Sequence, residues 1–217
     1  MLIIAHRGAS GTYLENSYEA FQAAYEMGAQ AIETDVRRCQ ICGELALSHE
    51  PILTKEQHES SMRFWDVLYF GEWMSLHLEI KERKIWREIL KITENLRFRH
   101  CIVYSSFLWW ELAKLKFTNP GSRIGLLLGT ESKNLPLWAV ILFGKILGAE
   151  SIHMDFALVD ANKVRRLRRN GFLVYAHTLN RSEEIYMAWQ LRLDGIFTDY
   201  PAYAGEIIAE SQNIVIQ

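Results

Sequence analysis

Short apolar runs recur along the chain, and most are separated by segments with a helical period. The runs predicted to be strands are LIIAH (2–6), AIETDV (31–36), ELALSH (44–49), SLHLEIK (75–81), CIVYSS (101–106), RIGLLL (123–128), ESIHMD (150–155), FLVYAHT (172–178) and DGIFTD (194–199). The helical patterns include NSYEAFQAAYEMGA (16–29), KIWREILKITENL (84–96) and NKVRRLRRNG (162–171). Strands that alternate with helices of this length indicate βαβ units and a parallel sheet.

The second and third predicted strands are joined only by RRCQICG (37–43), which is too short for a parallel crossover. A β-hairpin with Gly43 in its turn must connect them. Setting that antiparallel strand aside leaves eight parallel strands, so we predict an α/β fold, a (β/α)8 TIM barrel that forms one domain over residues 1–217. An open doubly wound sheet would usually carry G-x-G-x-x-G after its first strand, and HRGASG (6–11) matches that pattern poorly.

Local signals refine two helices. Asn16 is the predicted N-cap of the first helix, with Glu19 three residues later, and Gly28 marks its C-terminal end. The apolar stretch LPLWAVILFGKILGA (135–149) is shorter than the ~18–20 residues that a membrane span requires. We predict a buried barrel helix there, and an interfacial patch is the less favoured alternative.

Composition narrows the possible partners. The 217 residues are 49% hydrophobic and 23% charged, with a net charge of −2, so no bulk field attracts nucleic acid. Three cysteines are too few for a disulfide framework and fit a reducing compartment. The first apolar run ends at Ala5 without a basic leader, so we expect no signal peptide and a cytoplasmic location. Membrane contact is not favoured, and the oligomeric state stays open.

Acidic side chains lie near the C-terminal ends of two predicted strands. Glu33 and Asp35 share a face of AIETDV, and Glu79 shares a face with His77 and Lys81. At the rim of a barrel these three carboxylates would repel one another unless a cation lay among them. Oxygen-only ligands favour Mg²⁺ or Ca²⁺ over zinc, with Mn²⁺ as a further candidate. The alternative interpretation is three solvated strand ends paired with nearby basic residues.

Two histidines belong to the same predicted rim. His6 ends the first strand and His49 ends the hairpin, so the pair can supply a general base and a general acid near neutral pH. Arg7 and Lys81 are then available to bind anionic oxygens. A cation, basic side chains and paired histidines together indicate a phosphoryl-transfer site.

Eight short motifs follow one another through most of the chain. They are AHRG, ENS, IETDV, the His of LALSHE, LEIK, YSSF, HTLN and DGIFTDYP. In this order they resemble the glycerophosphodiester phosphodiesterase family, which usually has ENT in place of ENS. One such motif would be weak evidence, but eight in register are specific.

The resemblance implies a barrel enzyme that uses a divalent cation to hydrolyse glycerophosphodiesters to glycerol 3-phosphate and an alcohol. Glu33, Asp35 and Glu79 correspond to the metal ligands, and His6 and His49 correspond to the catalytic acid/base pair. Arg7 and Lys81 correspond to phosphate contacts, and Glu15 and Asn16 to the loop beside the metal. The nucleophile, water or a glycerol hydroxyl that forms a cyclic intermediate, stays open.

The chain departs from the family pattern in three places. Glu50 follows His49 where the family usually has Asp, which affects the orientation of the histidine. The insertion that usually covers the pocket is reduced to residues 50–74. His177 stands where the family commonly has Trp, at the mouth of the barrel, so we include it among the substrate-binding residues.

Two alternative functions stay open at this point. One is a lysophospholipase D that uses the same residues on membrane lysophospholipids; Phe64, Trp65 and Tyr69 would contact the lipid tail, although they fit the core face of a helix equally well. The other is a catalytically silent barrel that binds a phosphodiester. The complete set of three acids and two histidines argues against a silent site.

The remaining motif is the C-x-x-C of residues 39–42, which is typical of a redox pair or of half a zinc site. No second C-x-x-C and no H-x-x-x-H is present, so we expect no zinc site, and a redox role lacks its usual context. His58, His100 and His153 receive no role from the sequence. His77 is expected deeper in the barrel.

Overall fold

The computed structural model describes residues 1–214 and the side chains of residues 1–212. Its strands are β1 (Leu2–His6), β2 (Ala31–Arg38), β3 (Leu45–Leu47), β4 (Ser75–Ile80), β5 (Ile102–Ser106), β6 (Arg123–Leu128), β7 (Ser151–Asp155), β8 (Leu173–His177) and β9 (Gly195–Thr198). The sheet order is β1-β9-β8-β7-β6-β5-β4-β2-β3, and a further parallel pairing between β1 and β2 closes a ring. Eight parallel strands therefore form a barrel, which confirms the predicted fold.

Helices cover the outside of the ring. They are α1 (Tyr18–Glu26), α2 (Lys55–Ser60), α3 (Phe64–Val67), α4 (Trp86–Thr93), α5 (Trp109–Thr118), α6 (Leu137–Leu147), α7 (Ala161–Arg169), α8 (Ser182–Gln190) and α9 (Pro201–Ile214). Short 3₁₀ turns occupy Leu68–Glu72, Arg99–Cys101, Thr130–Asn134 and Phe156–Leu158. The main core lies between the strands and this helical layer, because each strand turns one apolar face outward.

The predicted hairpin after β2 is present. β3 pairs antiparallel with β2, with Val36 opposite Leu47, and lies outside the ring. Gly43 has a φ of +80° in the turn, a conformation that glycine adopts without the steric penalty of a Cβ atom. The hairpin therefore returns the chain to the barrel rim at His49.

The interior of the barrel contains an aromatic and imidazole layer. The ring of His153 lies 5.1 Å from that of Tyr175 and 5.1 Å from that of Phe197, and the ring of His77 lies 5.7 Å from that of His153. Burial lowers the pKa of His77 to about 3, and it holds the pKa of His153 well below its usual range. Both imidazoles are therefore neutral, and His77 lies inside the barrel as expected.

The first helix begins one residue later than the sequence predicts. Ser17, not Asn16, is the N-cap, and its hydroxyl accepts a hydrogen bond from the Ala20 N–H at 3.1 Å. Asn16 adopts a left-handed φ of +56° and turns its side chain toward the barrel rim. The prediction of Asn16 as N-cap was wrong because a serine one position later competes for the same backbone donors.

The prediction of a buried helix over residues 135–149 was also wrong. Only Val140 and Gly144 of α6 are buried, whereas Trp138 is 63% exposed and Ile146 is 70% exposed. On the neighbouring helix, Trp110 and Phe117 are also exposed. We refer to Trp110, Phe117, Trp138, Leu142 and Ile146 as the α5–α6 face. Among residues 1–214, no helix combines the length and the apolar character needed to cross a membrane.

Helix α3 provides a test of the core with neighbouring residues. Phe64 is fully buried, while Trp65 next to it is 61% exposed. We expect Phe64→Ala to lower the free energy of unfolding by about 3–5 kcal/mol, since it leaves a cavity in the core. The matched change Trp65→Ala is expected to cost less than about 1 kcal/mol. Urea denaturation monitored by circular dichroism measures both, and equal losses would contradict the assignment of Phe64 to the core.

Candidate active site

Strand register brings the candidate residues to one end of the barrel. His6 at the end of β1 pairs with Glu33 of β2, and Asp35 of β2 pairs with Glu79 of β4. Parallel strands point their C-terminal ends to the same rim, where barrel enzymes build their sites. His49 reaches the same rim from the end of the hairpin.

Three carboxylates converge at this rim. One oxygen from each of Glu33, Asp35 and Glu79 lies within 4.8 Å of the others, and all three residues are buried. The backbone N–H of Arg7 donates to Glu33 Oε2 at 3.2 Å, which orients that carboxylate. The donor set is composed only of oxygen, as hard divalent cations prefer.

The same crowding shifts the acidity of the three groups. Burial, together with repulsion from Asp35 and Glu79, raises the pKa of Glu33 well above its usual range. Burial and the neighbouring Asp35 also raise the pKa of Glu79 despite the proximity of Lys81. Burial opposes ionisation of Asp35 too, but Lys81 and Arg7 outweigh it and lower the pKa of that carboxyl. Asp35 is therefore the carboxyl group of the cluster that this environment most favours in its ionised form.

Two basic side chains neutralise part of the cluster. Lys81 Nζ lies 3.0 Å from Glu79 Oε1 and 3.3 Å from Asp35 Oδ1. Arg7 Nε lies 3.0 Å from Asp35 Oδ2, and Arg7 Nη1 donates to Glu15 Oε2 at 2.7 Å. Both residues were predicted to contact phosphate. They lie beside the cavity, and in this structure their charged groups pair with carboxylates.

The loop after β1 supports this arrangement. Asn16 Nδ2 donates to Asp35 Oδ2 at 3.1 Å, and Asn16 Oδ1 accepts from the Thr34 hydroxyl at 2.7 Å. Gly8 has a φ of +84°, and a Cβ atom there would lie 2.7 Å from the carbonyl carbon of Ala20. The glycine of AHRG thus lets the loop pack directly against α1 and brings Asn16 to the acidic cluster.

A carboxylate holds His6 from the side opposite to Glu33. His6 Nδ1 lies 2.7 Å from Asp199 Oδ1, and His6 Nε2 lies 4.0 Å from Glu33 Oε2. Asp199 also accepts from the Ser10 hydroxyl at 2.9 Å and from Asn180 Nδ2 at 2.6 Å. Sequence reasoning quoted the motif that contains Asp199 but assigned the residue no role. The signal was its position just after the last barrel strand, which neighbours β1 when the ring closes.

The second histidine has its own carboxylate. His49 Nδ1 lies 2.9 Å from Glu50 Oε1, and the His49 carbonyl accepts from Arg37 Nε at 2.9 Å. The longer glutamate side chain in place of the family's usual aspartate therefore reaches the imidazole. Both His49 and Glu50 are more exposed than His6 and Asp199.

Six of the residues described above, His6, Arg7, Glu33, His49, Glu79 and Lys81, line one cavity of about 180 Å³. Its lining comprises His6, Arg7, Glu33, His49, Glu79, Lys81, Ser105, Phe107, Leu127, His177, Thr178 and Phe197. Burial lowers the pKa of His177 to about 4, and its Nε2 atom is buried without a hydrogen-bond partner. His177 thus offers the cavity a neutral imidazole. Asp35, Asn16 and Glu15 support the rim next to the cavity.

The chemistry of the donor set fits a divalent cation. The three carboxylates are buried close together, and the pKa values of Glu33 and Glu79 are raised. A divalent cation bound among them would relieve their mutual repulsion. Soft nitrogen or sulfur ligands are absent from this cluster as it is built in residues 1–214. The fold and site together define a (β/α)8-barrel enzyme with a buried acidic cluster that could hold a cation and that two histidines flank.

Comparison with known proteins identifies the family. The profile of the glycerophosphoryl diester phosphodiesterase family matches residues 6–53 and 74–203. The chain therefore belongs to this family of phosphodiester-hydrolysing enzymes. A glycerophosphodiester phosphodiesterase of Caldanaerobacter subterraneus subsp. tengcongensis is 25% identical over 235 residues, which span 92% of this chain and 94% of the relative.

Solved structures show the same fold. A glycerophosphodiester phosphodiesterase from Thermotoga maritima superposes with a TM-score of 0.79 at 25% identity, over 95% of this chain and 98% of that one. A phosphodiesterase from Oleispira antarctica, solved in complex with sn-glycerol-3-phosphate, gives a TM-score of 0.81 at 20% identity, over 96% and 97% of the two chains. The barrel is thus shared at nearly full length with both proteins.

We expect the carboxylate cluster to lower the stability of the metal-free protein and to bind a divalent ion. A raised pKa means that Glu33 binds more protons in the folded state than in the unfolded one, so metal-free stability falls as pH rises above the ordinary carboxyl range. We expect Glu33→Gln to flatten that fall and to raise the melting temperature of the metal-free protein at pH 7. The rise should be about 2–4 °C for each kcal/mol of repulsion relieved.

Differential scanning calorimetry with and without Mg²⁺ or Mn²⁺ measures the melting temperatures that test this expectation. The wild type should gain melting temperature on adding the ion, and Glu33→Gln should gain little. Glu206→Gln, which changes an exposed carboxylate, is the matched control and should behave as the wild type does. A metal-free Glu33→Gln protein that melts below the wild type would contradict the electrostatic account.

Proposed function

We propose that this enzyme hydrolyses glycerophosphodiesters to glycerol 3-phosphate and an alcohol in the cavity lined by His6 and His49. The observation that carries the proposal is the convergence of two carboxylate-held imidazoles and an acidic cluster on one cavity. A phosphodiester needs one group to activate the nucleophile and another to protonate the leaving oxygen, and two imidazoles satisfy both needs near neutral pH.

The hydrogen bonds of the two histidines suit these roles. Asp199 and Glu50 each accept from the Nδ1 side of their histidine, which leaves Nε2 to face the cavity. A neutral imidazole held in this way accepts a proton at Nε2, and a charged one donates it from the same atom. Asp199 and Glu50 thus act as positioning residues that set the direction of each ring.

Glu33, Asp35 and Glu79 would hold the divalent cation, with Mg²⁺, Ca²⁺ or Mn²⁺ as candidates. When bound, such an ion polarises a phosphoryl oxygen and stabilises the charge that develops on it. Arg7 and Lys81 line the same cavity and would bind the anionic oxygens of the phosphodiester. His177 offers the polar contact of a neutral imidazole at the mouth.

The free state of all three cysteines supports a role inside a reducing compartment. We therefore propose a cytoplasmic enzyme that acts in glycerol and lipid metabolism, because its product class is a glycerol phosphate.

Replacing either histidine tests the acid/base roles. We expect His6→Ala and His49→Ala each to lower kcat for glycerophosphocholine by about 10²–10⁴-fold, since each removes one proton-transfer step. Release of glycerol 3-phosphate, measured with a coupled dehydrogenase assay, gives the rate. His100→Ala, a change at an exposed histidine far from the cavity lining, is the matched control.

Two further readouts make this test decisive. Ion-induced stabilisation should survive in both variants, because neither histidine is placed in the cation site. Retained hydrolysis in His6→Ala or His49→Ala would remove that residue from the mechanism. Dialysis against a chelator should stop wild-type turnover and added Mg²⁺, Ca²⁺ or Mn²⁺ should restore it, whereas chelator-resistant turnover would contradict the role of the ion.

The α5–α6 face favours a second candidate, a lysophospholipase D that uses the same catalytic residues at a membrane surface. Phe107 lines the cavity, and α5 begins two residues later. A groove of about 730 Å³ between α5 and α6 is lined by apolar side chains and by Lys114, Lys116 and Lys145. Exposed aromatic residues beside lysines suit an anionic lipid surface. Of the aromatics considered in the sequence, Phe64 is buried and cannot contact a lipid tail.

Lipid vesicles separate the two candidates. If the second is correct, the wild type should bind phosphatidylcholine vesicles that contain phosphatidylglycerol and should hydrolyse lysophosphatidylcholine in them. The double variant Trp138→Ser, Ile146→Ser should then lower that turnover at least tenfold, because it removes two apolar side chains that would be buried in the membrane. Its turnover of glycerophosphocholine should stay unchanged. Met187→Ser, at an exposed apolar residue of α8, is the matched control.

Failure of the wild type to bind vesicles would exclude this candidate. Sedimentation that shows a concentration-dependent dimer lost in the Trp138→Ser, Ile146→Ser variant would assign the face to self-association and would likewise exclude it.

A further inference from the structure

The hairpin turn and helix α2 together form a cluster of metal-ligating side chains on the outside of the barrel. Cys39 Sγ lies 3.5 Å from His58 Nδ1, and Cys42 Sγ lies 3.8 Å from the same atom. One ligand atom from each of the three residues lies within 4.8 Å of the others. The sequence provided no reason to join them, because His58 follows Cys42 by 16 residues on a separate helix.

We propose that Cys39, Cys42 and His58 bind a zinc ion. In a tetrahedral site with Zn–S near 2.3 Å and Zn–N near 2.0–2.1 Å, sulfur and nitrogen lie about 3.5 Å apart. Both observed Sγ–Nδ1 distances are close to that value. Two thiolates and an imidazole are also the donor types that zinc selects, and the absence of a second C-x-x-C no longer argues against the site.

The backbone of the turn favours this geometry. The Gly43 N–H donates to the Cys39 carbonyl at 2.9 Å, and the Cys39 N–H donates to the Glu44 carbonyl at 2.8 Å. This tight turn directs both cysteine side chains to one side of the hairpin.

Helix α2 has few other contacts that would fix its position. None of its residues is buried, and its regular structure relies on the capping box between Thr54 and Gln57. Residues 54–73 also lie outside the two segments that match the family profile. A helix that buries none of its side chains needs another constraint to stay in place, and a metal ion that joins α2 to the hairpin would supply it.

A zinc ion at this site would also restrain the chain segment that carries His49. Cys39 packs in a small buried cluster with Ala46 of β3 and Ile52, which follows His49 by three residues. A zinc ion that joins this cluster to α2 would restrain both ends of the segment that carries His49. The fourth coordination position would face a cavity lined by Glu44, Glu59 and Arg63, where water or a glutamate can complete the tetrahedron.

Cobalt substitution tests the site independently of catalysis. The reduced protein, stripped of metal and loaded with Co²⁺, should show a thiolate-to-cobalt charge-transfer band, which the oxygen-only cation site cannot produce. Cys42→Ser and His58→Ala should weaken Co²⁺ and Zn²⁺ binding at this site by roughly 100-fold or more, since loss of a direct ligand should exceed the 10–100-fold effect of losing an outer-shell partner. Cys101→Ser, at the third cysteine, is the matched control and should keep the band.

Stability and thiol accessibility give two further readouts. Zn²⁺ should raise the melting temperature of the wild type and of Cys101→Ser, but not of the two ligand variants, and it should protect two thiols from alkylation. Cys42 and His58 are more exposed than Cys39, so the chosen variants should fold. Absence of the band in the wild type, or a band of unchanged intensity in His58→Ala, would overturn the proposal.

Discussion

Repulsion among buried carboxylates is the constraint around which the rim of this barrel is arranged. Glu33, Asp35 and Glu79 lie so close together that full ionisation requires positive charge between them. Lys81 and Arg7 outweigh burial and lower the pKa of Asp35, whereas burial and repulsion between the carboxylates raise the pKa values of Glu33 and Glu79. A divalent cation brings twice the charge of an ammonium group into the same space. Glu33, Asp35 and Glu79, whose mutual repulsion a cation would relieve, are therefore the proposed ligands of the divalent ion.

Closure of the ring explains how the histidine pair acquires its partners. β1 lies between β2 and β9, so a histidine at its end has Glu33 on one side and Asp199 on the other, although Asp199 is 193 residues away along the chain. An open sheet would leave the first and last strands at separate edges. The hairpin brings His49 to the same rim, because it returns the chain there without an intervening helix. Barrel closure and the hairpin thus place two imidazoles around one cavity.

All nine strands occur within two residues of their predicted ends. They were predictable because a strand that is buried on both faces appears in the sequence as a short apolar run. The carboxylates could be brought together because period-two spacing and barrel geometry define their face. Helix α6 was misjudged because apolar composition does not reveal which neighbours cover a helix. Asp199 and His58 were missed for a related reason, since their partners are distant in sequence and only the folded chain brings them into contact.

One continuous stretch of chain, from Glu33 to His49, connects two sites of opposite chemical character. Its first part contributes hard carboxylate oxygens inside the rim, its turn contributes the sulfur atoms of Cys39 and Cys42, and its return strand leads to a candidate catalytic histidine. Hard oxygen sites favour Mg²⁺, Ca²⁺ or Mn²⁺, whereas thiolates and imidazole favour zinc, so ligand type alone would direct the two proposed metals to different sites. One proposed ligand of the softer site, His58, lies where the family match is interrupted, on helix α2, which buries none of its own side chains. A structural metal there would allow a shortened cover segment to hold its shape, and the rim would keep its geometry with fewer residues around it.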